Sequence, residues 1–102
     1  MSLGDLQQLV MLAVARLGRE AYGAAIRDEL RRVGGRRVSV QTVYVTLVRL
    51  EEQELVESDE VPQAKGRGGR ARRVFRLTPA GWRALEESRL SMTRMWEGVV
   101  GP

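Results

Sequence analysis

The chain has 102 residues, 43% of them hydrophobic, and its 17 Lys and Arg against 13 Asp and Glu give a formal charge of +4. This length fits a single domain with a modest core, and the basic balance favours partners that carry phosphate or another anionic surface. Cysteine and histidine are both absent, which excludes disulfides, thiol nucleophiles, thiolate metal sites and imidazole acid–base catalysis. We therefore expect a binding protein without a metal or cofactor, and not an enzyme.

The sequence carries no sign of export or membrane insertion. Its N-terminus has no basic segment followed by an apolar run, and no stretch approaches the roughly 20 apolar residues of a membrane span. The lack of cysteine fits a reducing compartment. We expect a soluble cytoplasmic protein with no membrane partner.

The first half of the chain predicts two amphipathic helices. Apolar residues recur at three- and four-residue steps over residues 5–17, the spacing of a helix with one buried stripe. Asp5 is placed to cap this helix, with Gln8 three residues later as in a capping box, and Gly18 is placed to end it. The same spacing over residues 22–33 predicts a second helix.

A third helix is predicted after Ser39, a residue type favoured at the N-cap position. Its narrow apolar stripe consists of Val40, Val43, Leu47 and Leu50. By helical geometry the opposite arc is exposed, and it carries short or hydrogen-bonding side chains with one cation and no acid. The residues of this arc are Gln41, Thr42, Val45, Thr46 and Arg49, with Tyr44 at its margin.

Two extended segments follow, one opening at Leu55 and one that includes Phe75 and Leu77 on the same face. Between them, residues 62–69 contain one proline, three glycines and two basic residues, which is typical of a flexible turn. The segments therefore predict a β-hairpin whose tip protrudes into solvent. We expect its tip cations to contact a partner; these are Lys65, Arg67 and Arg70.

Both surfaces also have plainer interpretations. The third helix could be an ordinary amphipathic helix with a solvated face, and Tyr44 could be a half-buried packing residue. The hairpin turn could be no more than a soluble loop. For Arg72 and Arg73 we expect ion pairs across the hairpin to Glu57 or Asp59, with little energetic consequence.

The last predicted helix begins at Thr78, followed by proline at the first helical position. Its apolar stripe continues beyond what a small three-helix core needs. The stripe comprises Leu85, Met92, Met95, Trp96 and Val99. We expect dimer packing there in preference to ligand binding, because an apolar stripe is more often core than a small-molecule site. Tyr22 and Trp82 are expected to pack, and Gly23 to permit a close approach of the second helix.

The order helix, helix, helix, hairpin, helix describes a winged helix-turn-helix, a mainly α fold with a small β-hairpin. We expect residues 1–78 to form the DNA-binding domain and residues 79–102 a C-terminal dimerisation helix, within one continuous structural unit. The third helix, with Ser39 at its start, would enter a major groove, where Gln, Thr and Arg can contact base edges. The hairpin tip would contact phosphates or the adjacent minor groove.

The ordered set of motifs resembles the PadR family of bacterial winged-helix regulators. The resemblance rests on residues 9–23 (LVMLAVARLGREAYG), 38–58 (VSVQTVYVTLVRLEEQELVES), 66–81 (GRGGRARRVFRLTPAG) and the terminal helix. It covers nearly the whole chain, and implies a homodimeric repressor that binds a palindromic operator and is often released by a small molecule. Tyr44, Thr46 and Arg49 match the family's recognition helix, and the basic Gly-rich turn matches its wing.

The chain ends soon after Trp96, so it resembles the short members of the family, which lack the long C-terminal helical domain of the larger ones. In short members the last helix packs with the first helix of the partner subunit and can frame a flat apolar pocket at the dimer interface. The resemblance thus implies Met92, Met95 and Trp96 as the residues that would line an inducer pocket.

Two other functions remain open on the sequence alone. The chain could be a basic module that binds RNA, or an interaction module whose basic turn meets an acidic protein surface. Readers of single-stranded RNA stack bases on pairs of exposed aromatic side chains, whereas Phe75 is the one aromatic residue of the hairpin. Salt dependence and competition by unrelated duplex would separate these functions from operator binding. Activation and repression are both compatible with the sequence.

Overall fold

A computed structural model of the protein describes residues 3–62 and 71–102. The elements follow one another as α1 (Asp5–Leu17), a 3-10 turn (Gly18–Glu20), α2 (Gly23–Arg32), α3 (Val40–Glu52), β1 (Val56–Pro62), β2 (Ala71–Leu77) and α4 (Pro79–Trp96). The predicted fold class, mainly helical with one antiparallel hairpin, is confirmed. We call the hairpin formed by β1, β2 and their connection the wing.

The apolar stripes of the first three helices meet in one core, which the root of the wing and the start of α4 complete. Its members include Val10 and Met11 of α1, Ile26 of α2, Val43, Leu47 and Leu50 of α3, Val56 and Phe75 of the wing, and Leu85 of α4. The periodicities predict most of these positions to be buried, although Met11 lies outside the predicted stripe of α1 and Val40, in the predicted stripe of α3, is only half-buried.

Two of the three predicted helix starts are confirmed. The backbone N–H of Thr42 donates to Ser39 Oγ at 3.0 Å, and that of Gly81 donates to Thr78 Oγ1 at 3.0 Å. The predicted start of α1 is wrong by one residue, because Gly4 is the N-cap there. Its N–H donates to the side-chain oxygen of Gln7 at 3.0 Å.

Asp5 is instead the first residue of α1, and its carboxylate forms an ion pair with Arg36. A carboxylate in the first turn still interacts favourably with the positive end of the helix dipole. Gly18 ends the helix as predicted, with a φ of +57° that suits glycine.

The strands pair in an antiparallel register from Val56 opposite Leu77 to Pro62 opposite Ala71. This register changes the predicted ion pairs of the wing. Arg76, opposite Glu57, is the residue that pairs with Glu57 and Asp59. The pairs predicted for Arg72 and Arg73 are therefore wrong. Their observed partners are Glu20 for Arg72 and Glu60 for Arg73.

The first half of α4 is anchored to the junction between α3 and β1. The N–H of Thr78 donates to the carbonyl of Leu55 at 3.1 Å, and its hydroxyl donates to the carbonyl of Glu54 at 2.7 Å. Gly81 packs so close to this junction that a Cβ at its position would lie 2.1 Å from the Leu55 oxygen. Only glycine permits this approach without moving the helix.

The second half of α4 leaves the body of the protein, and every residue from 89 to 102 is exposed in the single chain. Three expectations change as a result. Leu85 belongs to the buried core and not to the exposed stripe, and Val99 lies beyond the helix, which ends at Trp96. Trp82, expected to pack, is 55% exposed. None of the described helices is long and apolar enough to cross a membrane.

Candidate nucleic-acid interface

The face of α3 that points away from the core is the first part of the candidate interface. Gln41, Thr42, Val45 and Arg49 are exposed along it, because Val43, Leu47 and Leu50 hold the other side of the helix in the core. Ser39, at the start of the helix, is also exposed, although its oxygen already accepts the N–H of Thr42. The face therefore offers amide, hydroxyl and guanidinium groups on a rigid helix, the side chains that contact base edges in a major groove.

Thr46 is the exception among the residues predicted for this face. Its side chain is buried, with 8% exposure, and its hydroxyl donates to the carbonyl of Thr42 at 2.9 Å. Thr46 sits at the margin of the apolar stripe, where a β-branched side chain packs well and the preceding turn satisfies the hydroxyl. The expectation that Thr46 is exposed is therefore wrong.

Tyr44 lies where α2, α3 and the wing meet, and it is 39% exposed. Its ring stands edge-on to that of Phe75, with centroids 6.3 Å apart. A Cβ on Gly23 would lie 2.5 Å from the Tyr44 ring, so Gly23 admits this ring at the start of α2. Gly23 permits the close approach predicted for it, and Tyr44 makes the packing contacts of the plainer interpretation.

Charge is distributed unevenly around α3. Arg49 forms no ion pair with any described residue, so its guanidinium is available to an external acceptor. Glu51 turns toward β1 and accepts a hydrogen bond from Ser58 Oγ at 2.8 Å. Glu52 is exposed in the last turn of the helix. The acidic residues are thus kept to the C-terminal end, as the sequence predicts.

Arginines in the strands of the wing are largely paired with acidic residues, so they are less available to an external partner than the basic composition of the wing indicates. Arg76 pairs with Glu57 and Asp59, and the hydrogen bond to Asp59 is the main reason that the pKa of Arg76 is raised. Arg73 Nη1 donates to Ser58 Oγ at 2.8 Å and pairs with Glu60. The tip cations predicted to contact DNA lie outside the described residues; they are Lys65, Arg67 and Arg70.

Arg31 and Arg37 also have no acidic partner in the described part of the chain. Arg31 is exposed in the last turn of α2, and Arg37 is exposed two residues before the Ser39 cap. The sequence predicts no role for Arg37, because a lone arginine in an irregular segment carries no periodic signal. Arg31 stands on a helix whose polar face could equally be solvated.

A charge cluster around one buried carboxylate connects α1 and α2. Glu29 of α2 is buried, and it accepts hydrogen bonds from Arg16 Nε at 2.7 Å and from Arg32 Nη2 at 2.7 Å. These two guanidinium groups, Arg16 first, hold the pKa of the Glu29 carboxyl below its ordinary value, although burial works in the opposite direction. The pair between Arg16 and Glu29 ties α1 to α2.

The exposed half of α4 forms a second surface, apolar in character. Met92, Met95 and Trp96 are largely exposed there, with Trp96 at 66%. Two clefts of about 380 and 370 Å³ lie on either side of Met92. The first runs beside Leu3 and Met95, and the second beside Trp82 and Trp96.

No group of three or more acidic residues in the described part of the chain is placed to hold a metal ion. A recognition helix that follows a shorter helix, and a basic hairpin beside it, define the winged helix-turn-helix class of DNA-binding proteins. Comparison with known proteins identifies the family within this class.

The model of the transcriptional regulator PadR-like family matches residues 11–87, and the chain belongs to this family. It is a transcriptional regulator that acts by binding DNA, and not an enzyme. The chain is 44% identical over 82 residues to transcriptional regulator Rv3488 of Mycobacterium tuberculosis, a match that covers 80% of this chain and 72% of the relative. It is also 38% identical over 95 residues to an uncharacterized 37.1 kDa protein in transposon TN4556 of Streptomyces fradiae, of which it covers 25%.

Solved structures agree with this assignment. A PadR family transcriptional regulator from Eggerthella lenta superposes with a TM-score of 0.70 at 32% identity, over 92% of this chain and 81% of that one. A PadR-like transcription factor from Bacteroides fragilis superposes with a TM-score of 0.73 at 28% identity, over 90% and 84% of the two chains. The resemblance drawn from the sequence motifs is confirmed.

Proposed function

We propose that the protein is a homodimeric repressor that binds an inverted-repeat operator, with α3 of each subunit in successive major grooves. Two recognition helices related by a two-fold axis contact half-sites about 34 Å apart, one turn of DNA. Residues 1–78 would bind the operator and residues 79–102 would join the subunits. Binding at the promoter would then exclude polymerase.

The observation that carries this proposal is the exposed face of α3. It combines Gln41, Thr42 and Val45 with Arg49, a cation that has no acidic partner in the described part of the chain. We propose that Arg49 and Gln41 contact base edges, that Val45 contacts a thymine methyl group, and that Ser39 and Thr42 contact the backbone or bases at the start of the helix. Thr46 is left out because its side chain is buried.

Tyr44 would contact a phosphate through its hydroxyl while its ring stays packed against Gly23 and Phe75. The tip cations Lys65, Arg67 and Arg70 would contact phosphates or the minor groove. Phosphate contacts fix the orientation of a protein on the duplex, whereas base contacts specify sequence. The proposal therefore assigns anchoring to Tyr44 and the tip, and specificity to α3.

A second copy of the chain is the occupant we propose for the apolar surface of α4. Residues 89–96 form more than two turns of helix in which every residue is exposed, and a helix segment this exposed gains little stability in water on its own. Large apolar side chains are concentrated there, followed by Val99 and Val100. Exposed apolar patches of this kind mark association sites, and the relatives' family implies a dimer.

The clefts beside Met92 support a further proposal, release by a small apolar or aromatic ligand at the subunit interface. Both clefts have volumes of about 370–380 Å³, at the lower end of the sizes typical of ligand sites. A ligand that binds more tightly when the recognition helices are wrongly spaced would shift the population away from the DNA-bound state.

The test is fluorescence anisotropy of the purified protein with duplex from its own upstream region, titrated with salt and challenged with unrelated duplex. We expect tight binding that resists the unrelated competitor. Binding that any duplex erases equally would overturn the operator proposal. A preference for RNA, or for an acidic protein surface, would favour the two alternatives.

A further inference from the structure

The base of the wing is tied to the segment that begins α2. The N–H of Phe75 in β2 donates to the carbonyl of Ala21 at 2.9 Å, on the edge of β2 that β1 does not use. Ala21 is fully buried, and the next residue, Tyr22, is the N-cap of α2. The backbone of β2 is thus joined to the helix that precedes the recognition helix.

A second contact lies further out along the same strand. The guanidinium carbon of Arg72 stands 3.8 Å from the centroid of the Tyr22 ring, well within the range of a cation–π interaction. Arg72 Nη1 also lies 3.9 Å from Glu20 Oε2. With 31% of its side chain exposed, Arg72 is more covered than Arg73 or Arg76.

A two-stranded hairpin such as the wing has little stability of its own. The direction of the wing relative to the body therefore depends on the contacts that its strands make with the helices. The Phe75 bond and the Tyr44–Phe75 ring contact hold the inner part of β2 against α2 and α3. Arg72 is the outermost described residue of β2 that reaches across to the body, and the tip cations precede it by two to seven residues along the chain.

We infer that Arg72, stacked on Tyr22, is a positioning residue for DNA binding. It fixes the direction of the wing relative to α3, and so places the tip cations. Its guanidinium is already held by Tyr22 and Glu20, so we expect it to act through these contacts and not through a phosphate of its own. This inference rests on the proposed DNA interface, and it adds a residue pair that couples the two halves of that interface.

A double-mutant cycle on operator affinity tests the inference, with Tyr22→Leu, Arg72→Gln and the double variant. If Arg72 acts only through its stack on Tyr22, each single variant weakens binding by about two- to fivefold, and the double variant is no weaker than either single one. Tyr22→Phe keeps the aromatic face, so we expect wild-type affinity for it. Arg83→Gln on α4 makes the same change in net charge away from the wing and serves as the matched control.

The salt dependence of the same variants separates positioning from direct contact. Tyr22 is uncharged, so Tyr22→Leu can flatten the salt slope only by weakening phosphate contacts made elsewhere, and we expect it to flatten the slope as much as Arg72→Gln does. A phosphate contact by Arg72 itself would give a slope change of about 0.9 for Arg72→Gln and none for Tyr22→Leu. That result, or additive losses in the cycle, would overturn the inference.

Unfolding of each variant in urea without DNA gives its folded fraction, which tests whether Arg72 only stabilises the fold. If operator affinity falls only as far as the folded fraction falls, Arg72 does not position the wing. A wild-type protein that binds all duplexes alike would overturn the operator proposal instead. The cycle can still be measured on that non-specific binding, so the two failures are distinguishable.

Discussion

The apolar side chains of the body, formed by α1, α2, α3 and the wing root, are buried by other residues of the same chain. Those of the outer half of α4 are not. In the body, every apolar stripe finds a partner stripe within the same chain, and buried polar groups such as Glu29 are paired. In the outer half of α4 the same kind of stripe faces solvent, from Met92 to Trp96. This difference is the basis of our proposal that a second copy of the chain covers the end of α4, whereas the core of the body is complete within one chain.

The largest expected effect comes from removing a core side chain of the body. Leu47→Ala should lower the free energy of unfolding by about 2–5 kcal/mol, because Leu47 is fully buried. Leu90→Ala is the matched control, since Leu90 lies on α4 and is 43% exposed; a change within about 0.5 kcal/mol is expected there. Urea unfolding at one fixed protein concentration measures both. Equal losses would contradict the division between the two regions.

A smaller loss of stability is expected from a substitution where α4 packs against the junction between α3 and β1. Gly81→Ala should cost about 1–3 kcal/mol of unfolding free energy, because the new Cβ would meet the backbone oxygen of Leu55 at 2.1 Å. Gly101→Ala enters open space and should change stability by less than about 0.5 kcal/mol. The two thermal unfolding midpoints report the difference. A Gly81→Ala variant as stable as wild type would show that α4 is not held against this junction.

Within the DNA-binding region, we expect substitutions in α3 to reduce specificity and substitutions in the wing tip to reduce affinity for every duplex. Arg49→Ala should cost about 1–3 kcal/mol of discrimination between operator and random duplex. Arg67→Ala should weaken binding to both duplexes and reduce the salt slope by about one unit. Anisotropy titrations at several salt concentrations measure both effects. Identical behaviour of the two variants would contradict the assignment of specificity to α3 and of anchoring to the tip.

The smallest effect concerns the buried carboxylate of α2. Because the pKa of Glu29 is lowered in the folded state, its contribution to stability is present above its ordinary value of 4.5 and is lost as the pH falls through the folded pKa. Glu29→Gln should therefore be less stable than wild type at neutral pH, and the gap should narrow as the pH falls below 4.5. Urea unfolding at a series of pH values measures the gap. A gap that stays constant would contradict the Arg16 and Arg32 pairing.

The sequence predicts the helices and the exposed face of α3 well, because both depend on local pattern. Ser39 and Thr78 are confirmed as N-caps since capping is decided by neighbouring residues. The exposed face of α3 follows from the helical period, and it is wrong only at Thr46. A threonine at the margin of a stripe can be buried when its hydroxyl bonds to the preceding turn.

The remaining features depend on residues far apart in sequence. The partners of Arg73 and Arg76 follow from the strand register, which the composition of the turn does not determine. The stack of Arg72 on Tyr22 joins residues that only the folded chain brings together. The exposure of Trp82 and the end of α4 before Val99 likewise depend on where α4 leaves the body.

The difference between the two regions is tested most directly by the mass of the protein in solution. Sedimentation at micromolar concentration should give twice the chain mass of 11.5 kDa for the wild type. Met92→Asp places a charge at the centre of the apolar stripe and should give the mass of one chain, still folded. Leu90→Asp, on the other side of the helix, should remain a dimer. A wild type that sediments as a single chain, or a Met92→Asp variant that remains a dimer, would contradict the account.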